Sequence, residues 1–161
     1  MGLLTVPLVD QFVQIERTGE SNAFADSDCG EACAAMELFF RDLPVPSLTE
    51  IRRAIPGHET YGQTDGQELA AYLRSRGLGS HMEQPPVGRM ETRVKLAIDR
   101  GNPPILLGGF VDPTILHWIV VTGHANGQLF FNNPYHGKKE QQPWTWVSSR
   151  YGGQVVLVYP R

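Results

Sequence analysis

The pattern of the chain changes once, at Pro103-Pro104, and that single change limits the folds open to it. Before this point apolar residues recur at helical spacing. After it they come in short runs rich in β-branched and aromatic side chains. Residues 105–110, 116–122, 128–132 and 154–159 are predicted strands, and Ala125-Asn126-Gly127 carries the Asn-Gly signal of a tight hairpin joining the second and third. Helices first and hairpin-linked strands second is an α+β layout with an antiparallel sheet, not an alternating βαβ one.

The helices have their own punctuation. Asp28-Cys29-Gly30-Glu31 has the spacing of a capping box and opens a helix over 29–41, with Ala32, Cys33, Met36, Phe39 and Phe40 in phase, ended by Pro44 and Pro46. Ser47 and Glu50 repeat the signature ahead of a short helix closed by Pro56-Gly57. Asp65 and Glu68 open a third, through Leu69 and Leu73 to Gly77. A fourth covers 89–100 and stops at Gly101. Residues 6–11 alternate loosely and lead into a polar loop over 16–27.

At 161 residues and 41% hydrophobic content the chain has the size of one domain, 1–161, with enough apolar surface for a real core. Its formal charge of −3 is interspersed, so neither a nucleic acid nor an anionic membrane is an expected partner. No window approaches the roughly 20 apolar residues of a membrane span, and the first nine residues lack the basic start and cleavage site of a signal peptide. A soluble, cytoplasmic protein is expected. The two cysteines, Cys29 and Cys33, sit four apart on one helix, where disulfide geometry is hard to reach, so free thiols are expected.

A cysteine in the first turn of a helix faces unpaired N–H groups and the positive end of the helix dipole, which favour thiolate. Cys29 has that place. Position alone leaves two readings open, an exposed nucleophile or an inert buried thiol. Cys33 is in phase with Met36 and Phe40 and reads as core.

A thiol nucleophile needs a base, and the base needs a group to orient it. His117 begins the second strand, and the hairpin at Asn126-Gly127 returns the chain so that Asn133 lies diagonally across from it, within side-chain reach. Either residue alone could be an ordinary strand residue satisfied by hydrogen bonds. His124 and His136 read as solvated, and His58 and His81 as linker residues without a partner in sequence. The cysteines and histidines lack zinc-ligand spacing, and there is neither a phosphate-binding loop nor a Gly-x-Ser-x-Gly elbow, so no metal and no cofactor are expected.

The run Asp28-Cys29-Gly30-Glu31-Ala32-Cys33-Ala34-Ala35-Met36 resembles the nucleophile helix of the bacteriocin-processing, double-glycine-leader peptidases, a branch of the papain-like cysteine proteases. His117-Trp118-Ile119-Val120-Val121-Thr122-Gly123 resembles that family's histidine strand, and Asn133-Pro134 with Gly137 its Asp-Pro turn. Val6-Pro7-Leu8-Val9-Asp10-Gln11 resembles the segment that supplies an oxyanion-hole glutamine, and Thr64-Asp65-Gly66 with Leu69 and Leu73 the middle helix. The resemblance implies a papain-like fold and a cysteine peptidase acting on a peptide or protein. Its implied nucleophile is Cys29, its base His117, its orienting residue Asn133 and its oxyanion donor Gln11, for which Gln14 is an alternative. Two other expectations remain: amidase, deamidase or transglutaminase-like acyl transfer on the same fold, and a binding module that keeps the fold without turnover.

Overall fold

The apolar runs after Pro104 form the middle of one antiparallel sheet, in a computed structural model that describes residues 2–12, 27–55 and 63–161. Among these residues there are five helices and seven strands. The strands are β1 (Gly2–Leu3), β2 (Leu78–Glu83), β3 (Ile105–Asp112), β4 (Ile115–Ala125), β5 (Gln128–Asn133), β6 (Lys138–Pro143) and β7 (Tyr151–Pro160). They lie in the order β2-β7-β3-β4-β5-β6, with β1 paired to the far end of β4. The helices are α1 (Cys29–Phe40), α2 (Leu48–Ala54), α3 (Gly66–Ser75), α4 (Val87–Asp99) and α5 (Trp144–Arg150). The loop expected over 16–27 falls, except for Ser27, outside the described residues, as do Gln14 and His58.

Side chains alternate across a strand, and here both faces are buried. Ile105, Leu107, Trp118, Val120, Val156 and Val158 join the cores of α1, α2 and α3 on one face. Leu106, Ile119, Val121, Leu129, Phe131 and Val155 meet Met90, Val94 and Ile98 of α4, with Trp144 and Val147 of α5, on the other. Double coverage explains why the central strands read as continuous apolar runs rather than as apolar-polar alternation. Leu106→Ala is therefore expected to lower the unfolding free energy by about 2–5 kcal/mol in a urea titration. Val87→Ala, at a half-exposed helix start, should change it by no more than about 0.5 kcal/mol.

The hairpin between β4 and β5 forms as expected. Asn126 (φ 52°) and Gly127 (φ 74°) both take the left-handed conformation that a two-residue turn of this hand requires, and Ala125 pairs with Gln128. Ser47 and Asp65 cap α2 and α3 through their side chains. The capping box expected at Asp28 does not form. The Asp28 side chain makes no cap hydrogen bond and is turned to a buried ion pair with Arg52, Nη1 to Oδ2 2.7 Å. No helix among the described residues is long and apolar enough to cross a membrane.

Candidate active site

The first turn of α1 meets the start of β4, and this junction sets the geometry of Cys29. Its thiol is buried, and the backbone N–H groups of Trp118 and Gly30 favour its ionised form. Gly30 lets the two elements approach. A Cβ at residue 30 would lie 2.7 Å from Thr64 Cβ and Oγ1, closer than carbon atoms tolerate. Thr64 closes the junction from the other side: its hydroxyl donates to Glu31 Oε1 at 2.8 Å, and its carbonyl accepts from the Trp118 indole at 3.1 Å.

His117 stands one residue before Trp118, on the wall of the same cavity as Cys29. The register Val120 to Asn132 carries Asn133 to the diagonal position expected from the hairpin, and His117 Nε2 lies 2.7 Å from Asn133 Oδ1. The tautomer follows from the neighbours. Asn133 Nδ2 donates to Glu140 Oε2 at 2.8 Å, and the backbone N–H of Tyr135 donates to Oδ1 at 3.0 Å. Oδ1 is thus an acceptor, Nε2 carries the proton and Nδ1 keeps its lone pair. Among the described residues Nδ1 has no hydrogen-bond partner. Tyr135 sets its ring edge-on to the imidazole, with centroids 6.3 Å apart.

Glu140, which fixes the orientation of the Asn133 amide, was not found in the sequence. It lies in β6, a strand of charged and polar residues at the sheet edge that gives no periodic signal. Gln11 is buried, and its backbone N–H donates to the Pro134 carbonyl at 3.0 Å. It belongs to the turn after Asn133 and is not part of the cavity lining. The structure thus brings Cys29 and His117 to one cavity, places Asn133 behind His117, and sets Gln11 beside Asn133.

The electrostatics correct one expectation. The helix start was expected to lower the Cys29 pKa, but burial pushes it up to about 12, overcoming the backbone N–H groups of Trp118 and Gly30; the carboxylates of Glu31 and Asp28 add smaller rises. Burial likewise lowers His117 below its ordinary 6.5, with the Asn133 hydrogen bond opposing. Both groups are therefore neutral at pH 7, a thiol and an imidazole lining one cavity. Two other histidines also differ from expectation. His124 is buried and paired with Asp99 at 2.8 Å, and His81 lies in β2 with Nε2 2.9 Å from Glu83. Exposed His136 stacks on Phe12, ring centroids 4.6 Å apart. Among the described residues no group of three or more His, Cys, Asp and Glu side chains is placed to hold a metal ion.

No family model matches the chain, and no curated protein matches its sequence. Solved structures do match its fold. A double glycine motif protease from an AMS/PCAT transporter, in complex with its leader peptide, superposes with a TM-score of 0.73 at 18% identity, over 99% of this chain and 95% of that one. The peptidase domain of Streptococcus ComA, a bifunctional ABC transporter of a quorum-sensing pathway, gives 0.72 at 16% identity over 98% and 100%. The N-terminal peptidase C39-like domain of a Vibrio parahaemolyticus toxin secretion ATP-binding protein gives 0.57 at 12% over 84% and 98%. The chain therefore has a papain-like α+β fold. Within that class, the architecture is shared with these transporter peptidase domains, a double glycine motif protease among them.

Proposed function

We propose that residues 1–161 form one cysteine peptidase domain, in which Cys29 attacks a peptide carbonyl with His117 as base and Asn133 as orienting residue. The observation that carries this reading is the His117–Asn133 hydrogen bond, which holds the proton on Nε2 and leaves the Nδ1 lone pair available at the cavity Cys29 lines. Peptidase domains of the same fold, one of them crystallised with a leader peptide, support a peptide as substrate.

As sulfur bonds to the carbonyl carbon, the thiol proton passes to His117 Nδ1. Collapse of the tetrahedral intermediate breaks the C–N bond, and the imidazolium returns that proton to the leaving nitrogen. A water molecule, deprotonated by His117, then attacks the thioester; its carbon–sulfur bond breaks, and the acid product leaves as the thiol is restored. The chemistry uses no cofactor. Gln11, although outside the described cavity lining, is proposed as the oxyanion donor, supported by its attachment one residue beyond Asn133. Gln11→Ala is expected to lower kcat by roughly 10²–10³-fold, the cost of one such donor elsewhere. If Gln14→Ala produced that loss and Gln11→Ala none, the role would belong to Gln14.

A neutral pair has its own pH signature. His117 is active only when deprotonated, and its pKa is lowered, so kcat/KM should climb to a plateau with a midpoint below 6.5. With Cys29 near 12, no descending limb is expected between about pH 7 and 9. A bell falling within that interval would mean a preformed thiolate–imidazolium pair. Among the rivals, the binding module gains from one observation, the raised pKa of the thiol. Turnover of a peptide pool by the wild-type protein and its loss in Cys29→Ala decide against that rival.

A further inference from the structure

The cavity that holds Cys29 and His117 has a volume of about 710 Å³, and its charged lining among the described residues has a single sign. Asp65 and Glu68 come from the start of α3, and Asp112 is the last residue of β3. Among the described residues no Lys or Arg lines it, although the chain as a whole is nearly balanced, with 14 basic and 17 acidic residues. The same walls carry Val111, Ile115 and Leu116, three of the exposed large apolar side chains of the protein.

These carboxylates are not an isolated acidic cluster. They share the cavity with an imidazole only 6% exposed, whose Nδ1 has no partner among the described residues. Structural duties use only part of their capacity. Asp65 Oδ1 caps α3, accepting from the Gln67 and Glu68 N–H groups, and Asp112 Oδ1 accepts from the Thr114 N–H and hydroxyl. Each keeps its second oxygen, and Glu68 has no ion pair among the described residues. Arg150 lowers the Asp112 pKa, but less than the two Thr114 hydrogen bonds do. Its guanidinium donates to the Gly109 carbonyl and lies over the Trp146 ring. The cavity is thus electronegative, with aliphatic walls.

We propose that this cavity selects peptides carrying Lys or Arg close to the cleaved amide, the cationic head held by Asp65, Glu68 and Asp112 and the stem lying along Val111, Ile115 and Leu116. A basic side chain fits both halves of such a surface because its methylene stem packs against apolar groups while its head stays polar. Carboxylates gathered in a cleft also raise the local concentration of cationic ligands, an effect that salt weakens. The proposal rests on the peptidase reading, and its test separates the two.

A pool of short randomised peptides is incubated with the protein, and mass spectrometry reads the residues flanking every cut that Cys29→Ala abolishes. Lys and Arg are expected within three residues of the cut, enriched roughly tenfold over Asp and Glu at low salt and less at about 0.5 M salt. Glu68→Lys, with Asp112→Asn as a second and milder variant, should reduce that enrichment by roughly threefold or more, while cutting itself persists. Cys29-dependent cuts without basic enrichment, or enrichment indifferent to both variants, would overturn the charge preference and leave the peptidase standing. If no peptide is cut, the peptidase reading fails, and retention of the same pool on immobilised Cys29→Ala protein decides the preference: enrichment of basic peptides supports it, and its absence overturns it.

Discussion

Cys29→Ala is expected to reduce peptide turnover by roughly 10⁴-fold or more, to the level left by binding and oxyanion stabilisation alone. The chemical reason is loss of the atom that forms the acyl-enzyme. The structural cost should be small: Ala is a better helix former than Cys, and the group removed, though buried, is a single sulfur that borders the cavity. Thermal unfolding of the variant should match the wild type to within a few degrees, so that lost activity cannot be assigned to lost fold. Retention of wild-type turnover by this variant would remove Cys29 from the mechanism.

His117→Ala is expected to be nearly as damaging, because the thiol of this protein has little reactivity of its own. With a pKa near 12, only ~10⁻³ of Cys29 is thiolate even at about pH 9, so attack depends on a base accepting the proton as the bond forms. Members of such a unit fail together, so the double variant should be little worse than either single one. His124→Ala provides the contrast. His124 is a buried partner of Asp99 on the far half of β4, and its loss should act on stability before it acts on turnover.

The residues that could be read from sequence are those whose signals are local. Asn126-Gly127 marked the hairpin, but the diagonal of His117 and Asn133, joined by the 2.7 Å hydrogen bond, also needs the one-residue register shift between Val121 and Gly123, which no local signal shows. Ser47 and Asp65 announced helices that begin where expected. Residues whose roles depend on distant partners could not be read. Asp28 has the look of an N-cap, but Arg52, 24 residues away, takes its carboxylate. β2 has the sequence Leu-Gly-Ser-His-Met-Glu, with no β-branched residue, and is a strand because β7 pairs with it. β6, Lys-Lys-Glu-Gln-Gln-Pro, lies at the opposite edge and needs no apolar face. The Cys29 pKa departs from expectation for the same reason: the helix dipole and the Glu31 carboxylate are visible in ten residues of sequence, whereas the burial that dominates exists only in the fold.

The central claim is that His117 activates Cys29, and alkylation of the folded protein tests it most directly. Iodoacetamide is small enough to enter a cavity of about 710 Å³, and mass spectrometry of the two cysteine peptides reads each site separately. In the wild type, Cys29 labelling should rise with a midpoint below 6.5, following loss of the His117 proton, while Cys33, fully buried and absent from the cavity lining, stays unmodified. In His117→Ala, labelling of Cys29 should remain negligible to about pH 9, because the unaided thiol ionises only near 12. Equal Cys29 labelling of the two proteins across that range would show that the imidazole does not activate the thiol, and would contradict the account.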